Sequence, residues 1–167
     1  VMNNMDGGLT ITTYVNLLDI WYKQGMPNNI NKDKKNLRRF LRFKPETEMK
    51  YVYYYAHAYN PNLDYQFPDK NDKERAETMA ELLDLDFDMF LTADEAQKIC
   101  PINLEKEGYR FLRVIERENG QTSIIRTFGV APHYSHPGEG EIIASMKNTT
   151  MPPAKVSFLA GHGERDI

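Results

Sequence analysis

Two hydrophobic periods alternate along this chain, a two-residue alternation or continuous apolar run and a three-to-four-residue spacing, and their order predicts an α/β protein. "GLTITTYVNLLD" (8–19) is dense in β-branched residues and follows a Gly-Gly pair, so it is predicted to be a strand. "KQGMPNN" is a loop. In "NKDKKNLRRFLRF" (31–43), Leu37, Phe40 and Leu41 share one side of a helical pattern that Asn31 can cap and Pro45 ends. "MKYVYYYAHAY" (49–59) is a second strand, with Tyr51, Tyr53 and Tyr55 on one side and Val52, Tyr54 and Ala56 on the other. "NPNLDYQFPD" is predicted as a loop, and 71–87 as a helix with Ala76, Met79, Ala80 and Leu83 as its apolar stripe and capping candidates within 69–72. "LTADEAQKICP" holds a short helix before Pro101. Alternating runs at 109–116 and 123–128 flank Glu118-Asn119-Gly120 and predict a hairpin closed by a type I′ turn. Residues 139–150 suit a last helix, "MPPA" is a stiff connector, and "KVSFLA" (155–160) a further strand that runs into Gly161-His162-Gly163-Glu164.

The resulting order, β-α-β-α-β-β-α, is that of a thioredoxin-like domain spanning 1–150. The connector is then 151–154, and 155–167 is the start of a truncated second α/β domain toward which the last strand projects. Thiol redox chemistry on this scaffold needs two cysteines at the start of the first helix, where the chain reads "YKQGMPNNINKDKK". The one cysteine, Cys100, excludes a disulfide framework and reads as buried filler.

Charge narrows the partners. The 167 residues carry a net charge of −3, which argues against a nucleic-acid binder that works by neutralising phosphates. That charge is unevenly distributed: Lys32–Lys44 holds seven basic residues and one acid, Asp33, while Asp69–Glu95 holds ten acidic residues and three basic. A basic amphipathic helix can lie on anionic lipid, but two opposite segments can equally balance one another on a solvated surface, which is the preferred reading. No apolar run approaches the roughly 18 residues of a bilayer span, and "VMNNMDGG" is not a signal peptide; the chain reads as a segment excised from a longer protein.

Candidate chemistry is sparse. Gly161, His162, Gly163 and Glu164 follow a strand, where open α/β sheets take ligands, and a His with a Glu suits acid/base or metal chemistry; a tight strand-to-helix turn is the plainer reading. His133 and His136, followed by Glu139 and Glu141, are borderline metal ligands, but in a Pro/Gly loop they favour a surface loop. The three tyrosines Tyr51, Tyr53 and Tyr55 can stack a sugar or peptide, or simply bury a central strand. There is no phosphate-binding G-x-x-x-x-G-K-[ST].

The opening "LTITTYVNLLD" and the closing "KVSFLAGHGE", with helix, strand, helix and hairpin in order between them, resemble a known family. It is the extracytoplasmic region of the auxiliary component of gliding-motility-type ABC transporters, related to a domain of intraflagellar-transport proteins. The family carries a strand of the pattern "vkvtvY" at the start and G-H-G-E after the last strand. "IWYKQGMPNNI" is longer than the family's usual loop. The resemblance implies a non-enzymatic domain at the extracytoplasmic (periplasmic) face of the inner membrane, acting in substrate contact or coupling. It implies permease and ATPase subunits as partners, a membrane anchor before Val1, a second domain after Ile167, and no cofactor, metal or nucleic acid. Two alternatives stay open: a hydrolase or transferase whose site forms at Gly161–Glu164 once the missing domain is attached, and an assembly module.

Overall fold

In the computed structural model the described residues are 7–42, 44–126 and 137–150, with the side chains of 39 and 40 left aside. Five strands form one mixed sheet: β1 (Leu9–Asn16), β2 (Glu48–Tyr55), β3 (Leu91–Thr92), β4 (Leu112–Arg117) and β5 (Thr122–Arg126). Their order is β3-β2-β1-β4-β5. The three edge-side strands β3, β2 and β1 are mutually parallel, whereas β4 runs antiparallel to β1 and pairs with β5 as a hairpin. Helix α1 (Ile30–Leu41) carries the chain from β1 to β2. α2 (Pro61–Gln66) and α3 (Asp72–Leu82) lead to β3, α4 (Ala93–Ile99) follows it, and α5 (Glu139–Asn148) lies beyond the hairpin. The protein is therefore α/β.

Strand alternation divides the apolar residues between two faces. On one, Leu9 and Ile11 of β1 meet Ile115 and Ile125 of the hairpin under Leu37 and Leu41 of α1 and Ile142 and Met146 of α5. Further along the same side, Val15, Trp21, Met26 and Phe111 close against Ala76 and Met79 of α3. The other face buries Tyr14, Tyr54 and Val114 under Ala96 of α4, Cys100 and Leu104.

Local details differ from expectation at several places: Leu91–Thr92 forms the edge strand β3 where only a short helix was expected, α3 stops at Leu82 rather than running to Phe87, and the first hairpin strand starts at Leu112 rather than Tyr109. α1 starts after Asn29 rather than at a cap on Asn31, because Pro27–Asn29 forms a 3-10 turn that runs straight into the helix, and no side chain caps it. The stretch expected as a loop contains α2: Asn60 accepts from Leu63 N and Pro61 occupies the first turn, a start signal present in the Asn-Pro pair itself. The hairpin is real but its turn is not type I′. Only Gly120 has a positive φ (82°), Gly120 N donates to Arg117 O, and Arg117 N donates to Gln121 O, so the loop has three residues. Asn71, within the expected 69–72, caps α3 by exchanging bonds with Glu74, and Thr92 and Glu95 form the same box at the start of α4, where no cap was expected.

Candidate binding site at the carboxyl ends of the parallel strands

β1 ends at Asn16, whose fully buried amide ties three segments together. It donates to the carbonyls of Ala56 and Tyr109 at 2.9 Å each, and its oxygen accepts from Leu18 N and Ala56 N at 3.1 Å. Tyr109 is held with φ 52°, a conformation a bulky residue keeps only where its surroundings impose it. Three residues on, the Asp19 carboxylate accepts from Phe111 N at 2.8 Å. Burial pushes the Asp19 pKa up, against the pull of the backbone donors of Phe111, Trp21 and Ile20.

The loop that follows is fastened to this frame. A Cβ on Gly25 would stand 2.4 Å from Val15 Cγ2 and 2.9 Å from Phe111 Cε2, so only glycine lets the backbone come so close. Tyr53 donates its hydroxyl to Gly25 O at 2.9 Å, and Asn29 Nδ2 donates to Lys23 O at 2.6 Å. The long insertion in the sequence is thus an ordered wall.

Between that wall and the first turns of α1 lies a cavity of about 370 Å³ lined by Ile20, Trp21, Lys23, Gln24, Asn29, Lys32, Asp33 and Asn36. It opens beside the carboxyl end of β1, where open α/β sheets take ligands. Ile20 and Trp21 give it an apolar side, and the lysines and amides give it donors and acceptors. The side-chain oxygen of Gln24 is buried with no hydrogen-bond partner among the described residues.

Asp33 joins the cavity to the sheet. It is the lone acid of the basic helix, 3 % exposed. Its Oδ1 accepts from Arg113 Nη2 at 2.5 Å and its Oδ2 from the Tyr51 hydroxyl at 2.8 Å. Strand register sets Tyr51, Thr13 and Arg113 in one row on the same face. Arg113 has no exposed surface and its guanidinium stacks 4.9 Å from the Phe111 ring centre. Its Nε and Nη1, like Thr13 Oγ1, find no hydrogen-bond partner among the described residues. Desolvation, then the charge of Asp33, raises the pKa of Tyr51, and the same two causes push Tyr53 up to about 12. Both phenols therefore stay neutral and act as donors. None of the described lining residues carries a thiol, hydroxyl or imidazole. The arrangement can hold and orient a small polar ligand.

Of the residues singled out in the sequence, Tyr51 and Tyr53 reach this frame, through Asp33 and Gly25, and the other candidates do not gather here. Gly161, His162, Gly163 and Glu164, His133 and His136, the connector 151–154 and the strand 155–160 lie outside the described residues. Glu141 accepts from Gly138 N at 2.7 Å, closing the first turn of α5 next to Glu139. Among the described residues no three His, Cys, Asp or Glu side chains are grouped to hold a metal. The rings of Tyr53 and Tyr55 pack on Phe90 and Phe87 at 6.1 and 5.5 Å between ring centres rather than standing open to stack a ligand. Cys100 is buried on the opposite face of the sheet, its thiol pKa pushed up by desolvation. The Asp33–Arg113 pair escaped sequence reading. Its one trace was an acid at 33 in register with Leu37 and Leu41, at the four-residue spacing of an inward stripe. No helix among the described residues is long and apolar enough to cross a membrane. No protein-family model matches the chain, and neither a curated protein nor a solved structure does.

Proposed function

We propose that this chain is a non-enzymatic binding domain that takes a small polar ligand in the cavity between residues 20–29 and α1, on a thioredoxin-like scaffold. The observation that carries the reading is the cavity itself: an apolar wall at Trp21, converging amides and lysines, and a buried carboxylate at Asp33. The scaffold assignment is supported by the run β2-β1-β4-β5 with a helical crossover from β1 to β2 and an antiparallel hairpin. With the resemblance at "LTITTYVNLLD" and Gly161–Glu164, the reading extends to an extracytoplasmic domain of an ABC-2-type transporter auxiliary subunit. There, substrate contact would bias the conformation of the permease and ATPase partners rather than drive chemistry in this chain.

Trp21 is the one tryptophan and stands in the cavity wall, so its emission reports on the cavity while the protein is folded. Titration with small carboxylates, amino acids and sugars is expected to give a saturable emission change with one of these classes, lost in Lys23→Ala/Lys32→Ala. Absence of any saturable change overturns the binding reading, and consumption of the bound ligand would favour the enzyme alternative at Gly161–Glu164.

A further inference from the structure

Helix α1 has a second flank, turned away from the cavity. Lys34, Lys35, Arg38 and Arg42 form one wall of a groove of about 850 Å³ whose other wall includes Thr47 and Met49. None of the described residues lining this groove carries a carboxylate. Lys44 at its end is already committed, buried with its ammonium donating to Gly7 O at 2.7 Å and facing Glu46 at 3.1 Å. That bond also places the start of β1 beside the groove.

Glu46 and Glu48 on the 44–49 segment pair with Lys44 and Lys50, and most of the remaining acidic charge lies elsewhere. The acidic segment 69–95 belongs to α3, α4 and the turns between them, and its pairs with basic partners include Lys73–Glu77 on α3 and Asp72–His57. The basic flank is therefore a local field on an otherwise acidic molecule. Leu37 and Leu41 are locked into the core, so α1 offers a surface charge without an insertable apolar face.

We infer that this flank rests on an anionic membrane surface, with lipid phosphates seated in the groove between α1 and the 44–49 segment. A long soluble polyanion suits it poorly, because the net charge of −3 and the acidic segment repel whatever runs past the groove. α3 packs at the carboxyl ends of the parallel strands, by Val15, whereas the groove lies by Met49 at the start of β2, so a planar surface can meet the basic wall apart from the acidic segment. The inference rests on the transporter reading in one respect: that reading puts the chain beside a membrane. The affinity for anionic lipid itself needs no anchor.

The test is flotation of the chain with phosphatidylcholine vesicles, with and without phosphatidylglycerol. Binding is expected only to the anionic vesicles and is expected to fall as salt is raised. Lys34→Ala/Lys35→Ala/Arg38→Ala is expected to lower partitioning on the order of 100-fold, at about fivefold per basic side chain. Lys70→Ala/Lys73→Ala on the acidic segment is expected to leave it unchanged. Native Trp21 emission checks folding, and should the triple variant not fold, Lys34→Gln/Lys35→Gln is expected to lose about 25-fold on the same basis. Equal binding to neutral vesicles, full binding by the basic-flank variants, or binding of soluble glycerol phosphate without vesicle binding each overturns the inference. Vesicle binding lost while the Trp21 titration succeeds leaves the ligand-binding reading standing, and the reverse outcome removes that reading alone.

Discussion

Asp33→Ala should be the most damaging small substitution in the protein, because it strands a guanidinium that has no exposed surface. Breaking a buried ion pair from one side costs about 3–5 kcal/mol. The Tyr51 hydroxyl donates to the same carboxylate at 2.8 Å, and losing that acceptor adds about 1 kcal/mol. A domain of this kind has roughly 5–15 kcal/mol in all. About half of that would go, with a fall in Tm of roughly 10–20 °C. Removing both charges is a different matter: Asp33→Leu with Arg113→Met replaces the pair by apolar volume, and such exchanges are often neutral or better. The double variant is expected to stand within about 2 kcal/mol of the parent, and with each single costing about 3 kcal/mol or more the cycle of Asp33→Leu and Arg113→Met gives a coupling of at least about 4 kcal/mol. Urea unfolding followed by circular dichroism measures each corner, with Trp21 emission as a second probe. A loss under about 1 kcal/mol for Asp33→Ala, or a double variant no better than the sum of the singles, would refute the claim that the pair is desolvated and mutually dependent.

Gly25→Ala forces a Cβ against Val15 and Phe111 and is expected to cost about 1–3 kcal/mol in urea unfolding; an unchanged midpoint would mean the wall of the cavity yields freely. Burial raises the Asp19 pKa, so the native state holds that proton more tightly than the unfolded chain does. Its contribution is complete below the ordinary carboxylate pKa, about 4, and is lost as pH rises through the raised value. Asp19→Asn keeps the acceptor for Phe111 N and cannot ionise, so its stability relative to the parent is expected to improve across that window, and a flat difference between the two pH profiles counts against the assignment. Cys100, buried and with its pKa raised, is expected to react with a thiol reagent only as fast as the protein unfolds and to support no insulin reduction; prompt labelling in native buffer would contradict its burial.

What the sequence determined by itself is the local layer. The two-residue alternation of the hairpin, read at 109–116 and 123–128 and found at 112–117 and 122–126, the four-residue stripe of α1, and the cap of α3 within 69–72 depend on neighbours a few positions apart, so they are legible without a fold. The order β-α-β-α-β-β-α follows from them, and with it the α/β class; α2 and the edge strand β3 stand outside that reading. The turn at Gly120 shows the limit even locally, since Asn-Gly permits several loops and the strand register chooses among them. The candidate site belonged wholly to the tertiary structure. Asp33 and Arg113 are 80 residues apart, and each looks like one more charge in a charged segment until parallel pairing of β1 with β2 and antiparallel pairing with β4 set Tyr51, Thr13 and Arg113 in one row beneath α1. Asn16 is likewise an ordinary strand end in the sequence, and only the approach of Ala56 and Tyr109 makes it the brace of the loop that walls the cavity. The physical reason is that period and capping are properties of contiguous chain, whereas desolvation and pairing depend on which distant backbone is brought alongside.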